Sequence, residues 1–347
     1  MMTRKIMGKS LILLIIGTFL TLGLTLPAPA GAKTIELRYA NFPPAPTFPC
    51  VQMERWAKEV AKRTNGAVKV TTFPGGTLLG AKNMLDGVIS GIADIGCFCP
   101  PYIPGRFPLM EGIDLPVTFT NATAASLTFW DLYQKYQPKS YDKVKVLTLF
   151  TCAPGNLMSK VAVKKLSDLK KLEIRGTGIS GKYLDAMGAT PVAMPMSSVP
   201  ESLQKGVVKG LFSSLEVMKD FKFAELCKHV TITNGPTTSF AVVMNLKKWN
   251  ALPADVKKVF NDLGREQALW TGQYEDQHVK DALVWSKEKQ GVGIYRFSAA
   301  ETKEVNDKVK FMITGYLQKT KEAGLPGQQF LDDLYSLKAK YEKEYGK

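Results

Sequence analysis

The chain has 347 residues, of which 45% are hydrophobic and 22% charged, with a formal net charge of +15 and five cysteines. This composition is that of an ordinary globular protein; it excludes a disordered chain, a collagen-like repeat, a protein with many membrane spans and a disulfide-dense scaffold. Because the lysines are scattered rather than gathered into one block, we interpret the charge as solvated surface that attracts small anions, and we predict no nucleic-acid partner.

Residues 1–32 have the three parts of a secretory signal peptide. A basic start is followed by an apolar run over residues 11–26 and by the small-residue ending APAGA at 28–32. We therefore predict export, with cleavage near Ala30 or Ala32. The alternative is a retained membrane anchor, for which this apolar run is at the lower limit of length.

Hydrophobic periodicity predicts two runs of alternating strands and helices in the remaining chain, which at about 315 residues is long enough for two domains. The first run has strands at 35–39, 67–73 and 92–96 and helices at 50–64 and 84–89. The second has strands at 172–175, 190–194, 210–213 and 230–233 and helices at 179–187, 198–205 and 215–226. A helix at 127–136 and strands at 144–150 and 239–245 complete the pattern, which indicates parallel sheets covered by helices.

The predicted fold class is therefore α/β, with two lobes joined by more than one crossing of the chain. A long helical stretch begins at Pro253 and extends toward residue 289, with Gly264 and Gly272 as candidate kinks. A short strand at 294–295 and two helices follow. We assign residues 33–155 and 245–284 to lobe I, and residues 156–244 and 285–347, with the C-terminal helices, to lobe II.

A glycine-rich turn, GTGISG at 176–181, follows a predicted strand and precedes a predicted helix. Its spacing matches a dinucleotide-binding turn, but the next strand carries no acidic residue at its end, so we predict no nucleotide cofactor. Such a turn can still bind an anion. Arg175 ends the preceding strand, at the sheet edge where open α/β proteins bind ligands, and its guanidinium suits a carboxylate. A surface salt bridge is the alternative role.

Other motifs do not support catalysis or metal binding. The glycine-rich segment at 75–80 has Ala81 where a phosphate loop needs a lysine. His229 and His278 lie far apart in the sequence, and no serine or cysteine sits in a recognisable nucleophile turn. Cys97 and Cys99 have the wrong spacing for common zinc sites. We therefore predict no catalytic residue, metal or cofactor.

Several segments resemble the TRAP-transporter periplasmic solute-binding proteins, the DctP-like family. They are LSDLKKLEIR at 166–175, ATPVAMP at 189–195, LQKGVVKG at 203–210 and LKKWNALP at 246–253. GGTLLG at 75–80 and GIADIG at 91–96 fit as well, and PGRFPL at 104–109 resembles one subgroup. The matching segments follow the same order over nearly the whole mature chain.

The resemblance implies a periplasmic receptor with a two-lobed periplasmic-binding-protein fold, a hinge and a long lobe-bridging helix at 253–289. Such a receptor delivers an organic acid to a membrane permease driven by an ion gradient. It also implies that Arg175 clamps the ligand carboxylate, helped by the turn at Gly176. Two departures disfavour a sugar acid: LFSSLE replaces the family's Gln-Glu-Asn at 211–216, and PGNLM at 154–158 lacks a second arginine.

Residues expected near the cleft are mostly apolar, which favours a monocarboxylate or 2-oxo acid with an aromatic or branched tail. They are Phe42, Phe98, Leu157, Phe212 and Leu215, with Ser213 and Glu216 as polar members, although each aromatic ring could instead belong to a lobe core. A dicarboxylate is the alternative ligand, with Arg106 as the second cation. A binding protein of an ATP-driven importer and an exported hydrolase are the alternative functions.

The cysteines form an odd-numbered set, so at least one is a free thiol. The sequence leaves open a disulfide between Cys50 and either Cys97 or Cys99. It equally allows all five thiols, including Cys152 and Cys227, to be free.

Overall fold

The computed structural model describes residues 34–346, so the predicted signal peptide lies outside the described residues. The strands are β1 (Ile35–Asn41), β2 (Val68–Phe73), β3 (Ile95–Phe98), β4 (Val144–Thr151), β5 (Gly155–Ser159), β6 (Glu173–Arg175), β7 (Thr190–Val192), β8 (Gly210–Ser213), β9 (His229–Gly235), β10 (Ser239–Asn245) and β11 (Gly293–Arg296). The helices are α1 (Phe48–Arg63), α2 (Met84–Ile89), α3 (Ala122–Tyr136), α4 (Ile179–Ala186), α5 (Val199–Gln204), α6 (Val217–Asp220), α7 (Leu246–Asn250), α8 (Ala254–Gln290), α9 (Ala299–Lys308), α10 (Lys310–Glu322) and α11 (Gly327–Tyr345). This is the predicted α/β class, with short 3-10 turns between several elements.

The first lobe is built on a five-stranded sheet with the order β2-β1-β3-β10-β4. Strands β1, β2 and β3 are parallel, as the alternation of strands and helices predicts, and Asn41 pairs with Cys97 where β1 and β3 end. Strand β10 is antiparallel to both β3 and β4. The sheet is therefore mixed, because β10 enters it from the opposite direction.

The second lobe is built on a six-stranded sheet with the order β11-β9-β5-β8-β6-β7. Strand β6 is parallel to β7 and β8, and Arg175 lies beside Val192 and Leu211 in these pairings. Arg175 is the last residue of β6. The short strand therefore presents this arginine at the carboxyl edge of the sheet, where open α/β sheets bind ligands.

The chain crosses between the two lobes four times, and the last crossing is the return from β11 to α11, which packs against α3 of the first lobe. Residues 152–154 lead from β4 to β5, residues 236–238 lead from β9 to β10, and the 37-residue helix α8 passes from the first lobe to the second. Helix α8 packs against α1, α3 and β4 of the first lobe and against α6 of the second. The predicted two-lobed fold with a hinge and a long bridging helix is thus confirmed.

The glycines of α8 allow close packing and do not kink the helix, which is continuous from Ala254 to Gln290. A Cβ atom on Gly264 would lie 2.5 Å from the Trp130 ring, and one on Gly272 would lie 2.6 Å from Thr123 Cα. Both neighbours belong to α3. The missing side chains therefore allow α8 and α3 to approach more closely than any larger residue would permit.

Three elements differ from the sequence-based expectations. Strand β10, which the sequence boundaries assigned to lobe II, pairs within the first sheet because the chain has already crossed back at 236–238. Helix α11 packs against α3 of the first lobe, where Tyr136 donates a 2.5 Å hydrogen bond to Asp333. The helix predicted at 215–226 is a single turn, α6, followed by a 3-10 turn at Phe223–Glu225.

The interior of both lobes is apolar, and all five cysteines are buried in it as free thiols. Burial raises the pKa of Cys50, Cys152 and Cys227 to about 12 and raises the pKa of Cys97 and Cys99 well above the usual thiol value. None of the helices within residues 34–346 combines the length and the apolar character that crossing a membrane requires.

Replacing Gly272 with alanine should destabilise the protein by about 1–3 kcal/mol, because the added methyl group meets the backbone of α3. The matched control is Gly315→Ala in α10, where a Cβ atom would have no neighbour within 4 Å. That variant should be neutral or gain up to about 1 kcal/mol of helix propensity. Urea unfolding of both variants measures the difference; equal stabilities would contradict the packing argument.

Thiol titration should count five reactive groups in the denatured, unreduced protein and almost none in the native one. Only thiolates react readily, and burial keeps the five thiols protonated. A count of three in the denatured protein would instead show one disulfide.

Candidate functional site: a cavity between the two lobes

A cavity of about 40 Å³ lies where the two lobes meet, at the edges formed by the ends of β1, β3 and β8. This volume exceeds what a single water molecule needs. The first lobe contributes Phe42, Pro43, Thr47, Phe48, Pro49, Tyr102 and Phe240 to its wall, and the second contributes Met196, Glu216, Val217, Asp220 and Phe221. The cavity is therefore mostly apolar, with carboxyl groups from only one lobe.

Aromatic rings form the wall on the first-lobe side. Phe42 stands edge-on to Tyr102 at 5.5 Å and lies parallel to Phe240 at 6.4 Å, measured between ring centroids. Phe48 packs edge-on against Phe240 at 5.7 Å, and Phe150 stacks behind it at 5.4 Å. Such offset and edge-on contacts stabilise one another, so the wall is preformed and suits a flat or branched apolar group.

Arg175 is buried beside the cavity, with only 4% of its surface exposed. Its Nε donates to the Met194 carbonyl at 3.0 Å, one Nη donates to the Phe212 carbonyl at 3.5 Å, and the other donates to the Tyr102 hydroxyl at 3.1 Å. No acidic residue between positions 34 and 346 forms an ion pair with Arg175. Within these residues Arg175 therefore does not form the surface salt bridge that was the alternative role. Two of the five guanidinium N–H groups remain available.

Tyr102 links the two lobes through its hydroxyl group. The oxygen accepts hydrogen bonds from Arg175 and from the backbone N–H of Met196, each at 3.1 Å. Burial raises the pKa of Tyr102 to about 12, so the hydroxyl stays protonated at neutral pH. Tyr102 lines the cavity and Arg175 does not, so the arginine adjoins that space through its contact with Tyr102.

The glycine-rich turn serves packing rather than anion binding in this arrangement. The N–H of Gly176 donates to the Val192 carbonyl, and the N–H of Thr177 donates to the Ser180 hydroxyl at 2.9 Å. Gly178 has φ +53°, which favours glycine, and a Cβ atom there would lie 3.1 Å from Pro101 of the first lobe. The turn thus continues the chain directly from Arg175 and contacts the opposite lobe at Pro101.

The structure brings some of the sequence-predicted residues to the cavity. Phe42 and Glu216 line it, whereas Phe212 contributes its carbonyl group to Arg175 and packs its ring against Tyr183 at 5.4 Å. Ser213 lies at the end of β8, where it pairs with Asn156.

Other predicted residues lie in the lobe interiors or on the surface. Phe98 packs against Phe107 at 5.4 Å in the first lobe, and Leu157 is fully buried in the second sheet. Leu215 is buried within the second lobe as well. Arg106, the expected second cation for a dicarboxylate, is exposed and forms a 2.7 Å ion pair with Asp86. In this conformation it does not line the cavity.

A carboxyl cluster lies where the cavity meets the hinge. Glu216 and Glu275 are almost completely buried side by side, and Ala153 of the first crossing donates its N–H to Glu275 Oε1 at 3.3 Å. Burial raises the pKa of Glu216 to about 7, and burial together with the neighbouring Glu216 raises the pKa of Glu275 well above the usual range. The two carboxyl groups therefore retain a proton between them to a higher pH than exposed glutamates do.

The second half of this cluster is an ion pair between α6 and α8. His278 Nε2 lies 2.6 Å from Asp220 Oδ1, and this contact raises the pKa of His278. The other Asp220 oxygen, Oδ2, is buried and has no hydrogen-bond partner among residues 34–346. Nowhere in that range do three or more His, Cys, Asp or Glu side chains group in a way that could hold a metal ion.

Sequence reasoning missed Tyr102, Phe240, Asp220 and Glu275. Tyr102 ends the 3-10 turn that comes after β3, and its place near a strand end could have identified it. The other three reach the site only through the antiparallel insertion of β10 and the crossing of α8 beside α6, neither of which has a local sequence signal.

Two α/β lobes joined by four crossings of the chain, with a buried arginine beside a cavity between them, define a two-lobed solute-binding protein. The family model of the bacterial extracellular solute-binding proteins, family 7 (DctP), matches residues 43–319. The chain therefore belongs to this family, whose members are the solute-binding proteins of TRAP transporters and not enzymes.

Three relatives illustrate the similarity. A TRAP periplasmic solute binding protein from Desulfovibrio salexigens is 56% identical, with a TM-score of 0.81 over 89% of this chain and 97% of its own. A marine metagenome TRAP protein specific for aromatic acid ligands, solved with metahydroxyphenylacetate, is 29% identical, with a TM-score of 0.84 over 89% and 99%. The C4-dicarboxylate-binding periplasmic protein DctP of Rhodobacter capsulatus is 28% identical over 327 residues, 87% of this chain and 90% of its own.

The Glu216–Glu275 pair should make the protein less stable as the pH rises from about 5 to 7. The folded state keeps protons there that the unfolded chain has already released, so it binds more protons in this window. Glu275→Gln should flatten the decline by up to about 1.4 kcal/mol per pH unit. Free energies of unfolding from urea titrations at several pH values measure this slope.

The matched control is Glu288→Gln, which changes an exposed glutamate on the same helix. It should keep the wild-type slope. If the Glu275 variant keeps it too, the two buried carboxyl groups are not protonated as described.

Proposed function

We propose that this protein is the periplasmic receptor of a TRAP transporter and binds a monocarboxylate or 2-oxo acid with an aromatic or branched tail. In this role the two lobes close over the acid, and the closed complex delivers it unchanged to the membrane permease. Export would depend on residues 1–32, removed near Ala30 or Ala32. In this proposal each lobe is built on one of the two sheets, and α8 belongs to both lobes.

The buried guanidinium of Arg175 is the observation on which this proposal depends. A charged group so deeply buried normally has a partner of opposite charge, because removing it from water is costly. Arg175 has two carbonyl groups and one hydroxyl group instead. A ligand carboxylate would supply the missing charge and accept the two free N–H groups, as a planar fork allows.

The shape and polarity of the cavity support the choice of tail. The first-lobe wall contains phenylalanine rings from β10, from the start of α1 and from the residue after β1, and the second lobe adds Val217 and Met196. The structural neighbour described as specific for aromatic acids is consistent with this choice. The curated relative that binds C4-dicarboxylates represents the alternative, which would require Arg106 to leave Asp86.

Arg175→Ala should weaken binding of the cognate acid by about 2–5 kcal/mol, because the ligand carboxylate would be buried without a partner. Arg175→Lys should also weaken it, because an ammonium group cannot form two parallel hydrogen bonds to a carboxylate. Isothermal titration calorimetry on ligand-free protein measures both effects. Arg106→Ala is the matched control and should retain affinity within about twofold, since that arginine is exposed and paired.

A thermal-shift screen of small acids identifies the ligand class, because a ligand of the folded state raises the melting temperature. We expect stabilisation by aryl or branched monocarboxylates and 2-oxo acids. Stabilisation by dicarboxylates or sugar acids alone would overturn the proposed tail, and loss of affinity in the Arg106 variant would favour a dicarboxylate. Chemical conversion of a bound acid would overturn the receptor role in favour of an exported hydrolase.

A further inference from the structure

We propose that Asp220, with Glu216 beside it, is a hydrogen-bond acceptor that selects acids carrying a hydroxyl group remote from the carboxylate. This rests on the proposed function, because it assumes that the carboxylate of the ligand binds at Arg175. The ligand would then be an amphipathic hydroxy acid: a carboxylate at one end, an apolar body, and a hydroxyl group at the other end.

The two acceptors lie in the wall of the cavity, within one short stretch of the second lobe. Glu216 precedes α6 and Asp220 ends it, and both side chains line the space between the lobes. The Asp220 side chain is 4% exposed, and Glu216 is 2% exposed. Tyr102 and Met196, which contact Arg175 or its partner, line the same cavity. One cavity therefore joins the surroundings of the arginine to the acceptors.

Asp220 has an acceptor atom that the protein does not use. Its Oδ1 is occupied by His278 at 2.6 Å, while its Oδ2 is buried without a partner among the described residues. The Glu216 carboxyl group adjoins the Ser214 hydroxyl group and the carboxyl group of Glu275, so Asp220 Oδ2 is the more open of the two acceptors. A buried acceptor left without a donor costs free energy, so a ligand that supplies one gains affinity at this point.

The walls between these ends offer little polar competition, because the Thr47 hydroxyl group, which also lines the space, already donates to the Pro44 carbonyl at 2.7 Å. Phe42, Phe48 and Phe240 face Val217 and Phe221 across the space, and none of these side chains can hydrogen-bond. A polar group in the middle of a ligand would be desolvated without compensation. The arrangement therefore favours a donor at the far end of an apolar body.

The charges around the acceptors favour a neutral hydroxyl group over an ammonium group. His278 Nε2 contacts Asp220 at 2.6 Å, which raises the pKa of the imidazole, and the proton that Glu216 and Glu275 retain removes one of their two negative charges. Lys219 on α6 adds a positive charge near His278. Tyr274 of α8 and Cys152 of the first crossing are the remaining titratable neighbours, and burial keeps both protonated. With its acidic charge largely offset, the cluster gains little from a cationic partner.

Matched aryl acids test the proposal. The probes are phenylacetate, its 3- and 4-hydroxy derivatives and the corresponding methoxy derivatives, measured by calorimetry with ligand-free protein. We expect one hydroxy acid to bind at least about tenfold more tightly than its unsubstituted and its methoxy counterparts, because a hydrogen bond to a charged acceptor is stronger than one between neutral groups. An aminomethyl derivative that binds more tightly than the hydroxy acid would overturn the proposal.

Asp220→Asn should reverse this preference. The amide oxygen can keep the hydrogen bond from His278, so the amide NH₂ takes the place of Oδ2 and turns an acceptor into a donor. The methoxy acid should then bind at least as tightly as the hydroxy acid. The control, Asp281→Asn, changes an exposed aspartate of α8 and should keep the wild-type ratio.

Glu216→Gln gives an independent variant if the Asp220 variant does not fold. Its amide oxygen can accept from Glu275 while its NH₂ faces the cavity, so the ratio should shift in the same direction. An unchanged ratio in the folded variants, or no hydroxyl preference in the wild type, overturns this proposal alone. If no carboxylate binds at all, the proposed function fails and this inference fails with it.

Discussion

The buried guanidinium of Arg175 is the group around which the rest of the site is arranged. Met194 and Phe212 of its own lobe fix its plane through their carbonyl groups, and Tyr102 reaches it from the other lobe. Since none of these groups is an anion, the arginine is held in position while its charge stays unneutralised. An incoming carboxylate therefore meets a preorganised cation and does not have to order it.

Helix α8 packs tightly against the first lobe and also supplies titratable side chains to its contact with the second lobe. Gly264 and Gly272 let it approach α3, which fixes one half of the helix to the first lobe. Glu275 and His278, one and two turns further on, contact Glu216 and Asp220 of the second lobe. The protons of this cluster therefore lie where the lobes are joined, so their binding is coupled to lobe packing.

A buried arginine lies beside the cavity, hydrogen-bond acceptors lie in one part of its wall, and the rest of the wall is mostly apolar. This division suits a molecule with the same pattern. The aromatic wall contributes affinity but does not fix the orientation of a ligand, because burial of apolar surface is not directional. The orientation of the ligand is instead set by the few polar groups of the site. Arg175 and Asp220 are supplied by the same lobe, so closure by the first lobe mainly adds the phenylalanine wall and the Tyr102 hydroxyl.

The sequence by itself determined the α/β class, most element positions, the two lobes and the place of Arg175 at a strand end, because these follow from local periodicity and turn chemistry. Only the tertiary structure decided that β10 inserts antiparallel between β3 and β4, and that Gly264 and Gly272 pack rather than kink. It alone placed Tyr102, Phe240 and Asp220 around one cavity and Glu275 beside Glu216. These residues are far apart along the chain, and their proximity depends on how the crossings pack, which no local pattern encodes.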